Sequence, residues 1–117
     1  MKLTIIVNDA PYGIEKPWNA LRLASTSVSD DIGMTVKVFL MGDSVVSAKK
    51  GQRTPDGYYN MEKMLRSLVG RGVEVQCCGS CLDARGLKES ELVDGVKRGS
   101  MKLLATWVKE CDKVVNF

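Results

Sequence analysis

The chain alternates short, almost continuously apolar segments with longer segments in which apolar residues recur every three or four positions. Residues 3–7 form an apolar run typical of a strand buried on both faces. The segment from Pro17 to Gly33 has helical spacing, with a proline suited to a first turn and a glycine suited to an end. Because strands that alternate with helices pair in parallel, the pattern predicts an α/β fold, a three-layer α/β/α sandwich around a mostly parallel sheet of four or five strands.

Three further segments have strand character: residues 34–41, 73–77 and 112–117. In open parallel sheets, binding sites lie beyond the carboxyl ends of the strands. The loops that begin at Asn8, Gly42 and Cys78 each follow a predicted strand. We therefore expect these loops to share one edge of the sheet, whereas the pattern leaves the order of the strands open.

Helical segments fill the spaces between the later strands. A short helix is predicted for residues 45–50, a longer one begins at residue 61, and residues 89–94 have the pattern of another short helix. Ser100 is a predicted N-cap of the last helix. The apolar stripe of that helix consists of Met101, Leu104, Ala105 and Val108. The 117 residues have the length of one domain, which we expect to span residues 1–117.

Charge and hydropathy argue against two classes of partner. The net charge is +3, and the 17 Lys and Arg residues form no cluster longer than Lys49-Lys50. Neither a nucleic-acid footprint nor a membrane surface is indicated, so we expect no direct nucleic-acid or membrane partner. No segment is long and apolar enough to span a bilayer, and the apolar start is too short for a signal peptide. The expected location is the cytoplasm, where thiols stay reduced.

The chain has no histidine. This composition excludes a Ser-His-Asp triad, a Cys-His nucleophile pair and a His-ligated metal. No G-x-G-x-x-G or P-loop segment is present, and we predict neither a metal nor a cofactor. Acid–base chemistry would fall to carboxylates, Lys, Tyr or Cys.

A C-x-x-C pair, Cys78 and Cys81, follows directly after a predicted strand. Ser80 and Asp83 have the spacing of a capping box, which places Cys78 just ahead of a helix N-terminus. The N–H groups at such an end favour a thiolate, the reactive form of cysteine. Gly79 leaves the approach to this sulfur unobstructed.

The C-x-x-C spacing has three explanations, which are a redox dithiol, half of a zinc site, or one reactive thiol with a helper. Zinc usually takes four ligands, and the chain offers no second C-x-x-C, although a site shared between subunits would supply one. Cys77 continues the alternation of its strand and Cys111 ends a packing stripe. Both are interpreted as small apolar fillers.

The segment from Cys78 to Arg85-Gly86 resembles the DsrE/DsrF-like sulfur-relay family, TusD-type members included, in which a cysteine leaves a strand and an Arg-Gly closes a short helix. Similar segments cover nearly the whole chain: residues 8–13, 19–24, 38–45, 57–60 and 112–117. The resemblance implies a three-layer α/β fold, self-assembly into trimers or hexamers, and transfer of sulfur as a cysteine persulfide between donor and acceptor proteins.

The resemblance also implies roles for individual residues. The persulfide cysteine corresponds to Cys78, while Cys81 departs from the TusD-type pattern, in which a small residue holds that place. Cys81 could resolve a persulfide, act as a redox partner, or be inert. Supporting residues are expected on the same edge of the sheet: Asp9, Tyr12, Gly42, Asp43, Gly79 and Arg85. Asp9 and Asp43 equally suit turns and Tyr12 equally suits loop packing, although Asp43 or Tyr12 is the nearest candidate for handling a proton.

The leading hypothesis is a sulfur carrier or sulfurtransferase that relays a persulfide on Cys78. The first alternative is a thiol–disulfide oxidoreductase that uses Cys78 and Cys81. The second is a non-catalytic oligomeric protein that binds a small ligand at the glycine-lined edge of the sheet.

Overall fold

The computed structural model describes residues 1–117. Strands and helices alternate: β1 (Lys2–Val7), α1 (Lys16–Ser27), β2 (Thr35–Leu40), α2 (Met61–Gly70), β3 (Glu74–Cys78), α3 (Gly79–Ala84), β4 (Lys97–Gly99), α4 (Met101–Glu110) and β5 (Lys113–Asn116). Two 3₁₀ helices cover Gly42–Ala48 and Glu89–Glu91. The five strands pair in parallel in the order β4-β3-β2-β1-β5, which confirms the predicted α/β class and parallel sheet. No helix is long and apolar enough to cross a lipid bilayer.

The strand order determines which helices cover which face of the sheet. The chain passes from β1 through β2 and β3 to β4 in one direction, so right-handed crossovers place α1, α2 and α3 on the same face. The return from β4 to β5 runs the other way and places α4 on the opposite face. Trp107 of α4 accordingly packs edge-on against Phe39 of β2, with 5.9 Å between ring centroids. The second helical layer is this one helix of 10 residues.

Successive residues of β3 point to opposite faces of the sheet. Side chains paired across parallel strands share a face, and Gln76 pairs with Phe39, which α4 covers. Cys78 lies two residues after Gln76 and therefore points to the α4 side. Cys77 points the other way, under α1 and α2, and is fully buried.

Helix α1 is shorter than the prediction, which extends it to Gly33. It ends at Ser27 with Val28 as its C-cap, and Ile32 is 52% exposed. The hydroxyl of Ser29 donates to the carbonyl of Thr26, a side-chain bond that competes with continued helix. The C-terminal end of α1 is therefore set by hydroxyl residues several positions before Gly33.

The prediction for α4 is correct at its start and partly wrong about its buried face. Ser100 is the N-cap and accepts from the backbone N–H of Leu103. Leu104 and Trp107 are buried, whereas Met101 and Val108 are 63% and 42% exposed. The large Trp107 ring fills the space over β2, and this contact sets the rotation of the helix.

Two local predictions around β4 are also wrong. Residues 89–94 contain only one 3₁₀ turn, Glu89–Glu91. The strand β4 is absent from the prediction because it has three residues, two of them charged, and lies at the edge of the sheet. Its end nevertheless reaches the same edge as the cysteine motif, since Gly99 pairs with Cys78.

Candidate functional site

Cys78 is both the last residue of β3 and the N-cap of α3. Its Sγ accepts a hydrogen bond from the backbone N–H of Cys81 at 3.4 Å and lies 3.3 Å from the hydroxyl of Ser80. The sequence predicts Ser80 as the N-cap, but Ser80 belongs to the first turn, because the helix begins at Gly79, two residues before the start that a Ser80 N-cap implies. The sulfur itself therefore occupies the position where a capping oxygen normally sits.

The hydrogen bonds at Cys78 favour its thiolate. Burial of the Cys78 thiol raises its pKa, but hydrogen bonds from the side chains and backbone N–H groups of Cys81 and Ser80 lower it by more. The net pKa of Cys78 lies below that of an ordinary cysteine. Burial and the hydrogen bond with Cys78 instead raise the pKa of Cys81, against the opposing effect of the Gly42 N–H. In this pair, Cys78 is the more acidic thiol and Cys81 is the less acidic one.

The other two cysteines lie in different surroundings. Cys77 is fully buried, and burial raises its pKa to about 12, so it stays protonated at neutral pH. Cys111 is half-buried at the C-cap of α4, where its thiol contacts the carbonyl of Val108. Both environments agree with the interpretation of these cysteines as packing residues. Nowhere in the chain do three or more Cys, Asp or Glu side chains converge in a geometry suited to a metal ion.

The loop after β2 contacts the cysteine motif, as expected for loops that share one edge of a sheet. The backbone N–H of Gly42 donates to Sγ of Cys81 at 3.2 Å. Arg85 donates to Oδ1 of Asp43 from Nη2 at 2.7 Å and from Nε at 3.1 Å, and to the carbonyl of Cys81 from Nη1 at 3.0 Å. The guanidinium of Arg85 thus ties α3 to the neighbouring loop.

The backbone conformation at position 42 requires a glycine. Its φ is +59°, in the left-handed region, and a Cβ there would lie 3.4 Å from the carbonyl oxygen of Asn8. The close approach of these two loops brings the Gly42 N–H to Cys81. Four of the predicted supporting residues therefore surround the cysteine pair: Gly42, Asp43, Gly79 and Arg85.

Asp9 and Tyr12 make no hydrogen bond to the cysteines. The Tyr12 hydroxyl donates to Oε1 of Gln52 and accepts from the backbone N–H of Met61. Its ring lies 5.6 Å from that of Tyr59, within an aromatic cluster of Tyr12, Trp18, Tyr58 and Tyr59. Asp9 makes no side-chain hydrogen bond or ion pair. Neither residue hydrogen-bonds to the thiols, and the proton-handling role of Tyr12 remains a prediction.

A cavity of about 340 Å³ opens beside Cys78 on the α4 side of the sheet. Although Cys78 is only 8% exposed, its surface faces this cavity. Several residues that line this cavity are not among the predicted site residues: Phe39, Arg98, Gly99, Ser100 and Met101. The N-cap signal of Ser100 is the one sequence feature that could have indicated this part of the cavity, because β4 has no recognisable strand pattern.

Comparison with known proteins gives consistent results. The family model of the DsrE/DsrF-like family matches residues 1–117. An uncharacterized protein of Methanopyrus kandleri is 42% identical over 115 residues, which are 98% of this chain and 93% of that protein. Protein YchN of Escherichia coli strain K12 is 39% identical over 116 residues, covering 99% of this chain and 98% of YchN. The crystal structure of YchN from E. coli covers the same shares of both chains, with a TM-score of 0.93. The chain therefore belongs to the DsrE/DsrF-like family, and in the general sense of that family it is a protein of the sulfur-relay type.

Proposed function

We propose that this protein carries sulfur as a persulfide on Cys78. The observation that carries the proposal is the Sγ of Cys78, which accepts hydrogen bonds at the start of α3 and faces a cavity. A thiolate is the nucleophile in sulfur transfer, and the lowered pKa of Cys78 increases its thiolate fraction at neutral pH. The thiolate attacks the outer sulfur of a donor persulfide, a new S–S bond forms, and the donor thiolate leaves.

Cys81 supports two steps of this cycle. As a thiol, it donates a hydrogen bond to the Cys78 sulfur and stabilises the negative charge there. After Cys78 has been loaded, Cys81 gives its proton to the outer sulfur of the persulfide anion and attacks the inner sulfur. The persulfide bond then breaks, and hydrosulfide leaves. This resolution produces a Cys78–Cys81 disulfide and consumes no oxidant, but a cellular dithiol must then reduce the disulfide before another cycle.

The test is loading with inorganic polysulfide, followed by mass spectrometry that maps the added sulfur. We expect one extra sulfur on Cys78 in the wild type and in a Cys111→Ser control, and none in Cys78→Ser. Loss of added sulfur over time, together with a new disulfide, is expected in the wild type and not in Cys81→Ser. If Cys78→Ser loads to the same extent as Cys111→Ser, the proposed carrier role is wrong.

A second candidate is a thiol–disulfide oxidoreductase. The hydrogen bond from the N–H of Cys81 to Sγ of Cys78 favours it, because the two residues already adjoin. This function requires a reversible disulfide without any sulfur donor. Titration of free thiols in glutathione buffers distinguishes the two functions, since a redox dithiol loses two thiols at an accessible potential. Unchanged thiol counts across the buffers would eliminate the oxidoreductase.

We also propose that the protein works as a homo-oligomer, a trimer or hexamer, in the cytoplasm, where its thiols stay reduced. In support, the apolar side chains of Met101 and Val108 on α4 are exposed. Sedimentation of the wild type and of a Val108→Lys variant measures the mass of the particle. A wild-type mass equal to the 12.8 kDa of one chain would contradict this assembly.

A further inference from the structure

The cavity beside the thiolate is lined by groups that favour an anion. Arg98 is the one cationic residue that lines it, the hydroxyl residues Ser80 and Ser100 also contribute, and no carboxylate side chain does. Phe39 and Met101 form an apolar wall. A small anion with an apolar or sulfur-rich part would match both kinds of surface.

Arg98 is held at the cavity in a defined position. Its Nη1 and Nη2 donate to the two carboxylate oxygens of Asp83, each at 2.8 Å. These bonds use two of the five N–H donors of the guanidinium and leave three for another group. A Cβ on Gly79 would lie 3.0 Å from Cζ, Nε and Nη2 of Arg98. The missing side chain therefore lets the guanidinium lie against the residue that follows Cys78.

Arg98 and Cys78 line the same cavity, so the charge of each acts on the other. The pKa of Arg98 is raised chiefly by its hydrogen bond to Asp83, and to a smaller extent by the negative charges of Glu89 and Cys78. Arginine binds sulfur oxyanions and carboxylates through two parallel N–H donors. Positive charge next to the nucleophile would both attract an anion and stabilise the charge that develops on its leaving group.

We propose that this cavity binds a small anionic sulfur donor and that Arg98 holds the negative charge of the leaving group. The inference rests on the proposed function of Cys78. With thiosulfate, the Cys78 thiolate attacks the sulfane sulfur, a new S–S bond forms, and the S–S bond of thiosulfate breaks with its electron pair on sulfite. Cys78 becomes a persulfide anion, and the total charge of −3 is unchanged. With a small carboxylate-bearing persulfide, such as cysteine persulfide, the leaving group is a thiolate.

Two alkylating reagents test the anion preference separately from sulfur transfer. Iodoacetate and iodoacetamide react with the same thiolate, but only iodoacetate is an anion. A change in the pKa of Cys78 alters both rates equally, so their ratio reports on charge in the cavity. The adduct is assigned to Cys78 by fragment-ion mapping of the native, fully reduced protein.

We expect Arg98→Gln to lower the iodoacetate rate at Cys78, relative to the iodoacetamide rate, roughly three- to tenfold, as for one partly exposed cation acting on one anion. Arg98→Lys keeps the charge and should retain most of the preference. Arg66→Gln is the matched control, because Arg66 pairs with Glu62 on α2 and does not line the cavity. An equal ratio in the wild type and Arg98→Gln, or an equal fall in Arg66→Gln, would overturn the inference.

Loading kinetics with thiosulfate and with cysteine persulfide then identify the donor. A donor that loads Cys78 more slowly in Arg98→Gln, by a factor similar to that for iodoacetate, supports the assignment. If both donors load the two proteins equally, the assignment of Arg98 fails, while loading by polysulfide still supports the carrier role of Cys78. If neither donor loads the wild type, the substrate assignment fails whatever the alkylation ratio.

Discussion

Gly95 controls the path of the chain into β4, and its replacement by Ala tests how that strand is positioned. Gly95 has φ +92°, in the left-handed region. A Cβ at this position would lie 2.5 Å from Cγ1 of Val69 on α2. Both effects should make Gly95→Ala destabilising. The substitution also bears on the site, because β4 carries Arg98 and Gly99 to the cavity.

The two effects can be estimated separately. A left-handed conformation costs an Ala residue about 1–2 kcal/mol relative to glycine. A carbon–carbon distance of 2.5 Å is far inside the optimal separation, and relief of such overpacking costs about 1–3 kcal/mol. We therefore expect Gly95→Ala to lower the free energy of unfolding by about 2–5 kcal/mol, less than the stability of a typical domain.

Urea unfolding followed by tryptophan fluorescence, to which the buried Trp107 contributes, measures this change. Gly70→Ala is the matched control, because Gly70 has no positive φ and a Cβ there meets nothing within 4 Å. This control should change stability by less than about 1 kcal/mol. In a double-mutant cycle, Val69→Ala removes Cγ1 and should recover about 1–3 kcal/mol of the Gly95→Ala loss. Strict additivity of the two substitutions would refute the proposed contact.

Three further substitutions test individual side chains of the site. Cys77→Val removes a thiol whose pKa is raised by burial from 9.0 to about 12. Because the native state holds this proton more tightly than the unfolded chain, the thiol stabilises the fold. This contribution is complete below pH 9.0 and is lost as the pH rises through about 12. In urea titrations the free energy of unfolding should therefore fall less steeply over that range in Cys77→Val than in the wild type, and identical slopes would contradict the burial argument. Ser80→Ala removes one hydrogen bond that lowers the pKa of Cys78, so the pH midpoint of its alkylation by iodoacetamide should move upward, and an unchanged midpoint would mean that Ser80 does not stabilise the thiolate. Asp43→Asn weakens a partly exposed ion pair with Arg85 and should cost less than about 1 kcal/mol in urea unfolding, with a larger loss indicating that the pair organises the loop.

The sheet could be predicted from the sequence because its apolar residues follow a simple pattern. Residues 3–7 are a nearly continuous apolar run and residues 34–41 are mostly apolar, a pattern typical of strands in a sheet covered on both faces. The pattern does not contain the strand order, because that order depends on crossovers between distant segments. β4 escapes prediction for a related reason, since an edge strand of three residues is held by its neighbour β3 and not by its own apolar content.

The site was predictable where it follows the chain locally and not where it depends on packing between segments. Cys78 and Cys81 lie three positions apart at a strand end, so sequence spacing is enough to place them together. The contact of Gly42 follows from the rule that strand ends share one edge. Arg98 comes from a strand without a signal, and its guanidinium reaches the site only because Gly79 has no side chain.

The alternation that buries β3 also decides which sulfur can react. Val75 and Cys77 point into the apolar layer under α1 and α2, whereas Gln76 and Cys78 point to the side of α4. A slip of β3 by one residue would move Val75 to the α4 side and Gln76 into the apolar layer under α1 and α2, at a cost in both apolar and polar contacts. The same slip would move Cys77 to the cavity and turn Cys78 into the apolar layer. The register that gives the sheet its core therefore selects Cys78 as the thiol at the start of α3, and no separate structural feature is needed to tell these adjacent cysteines apart.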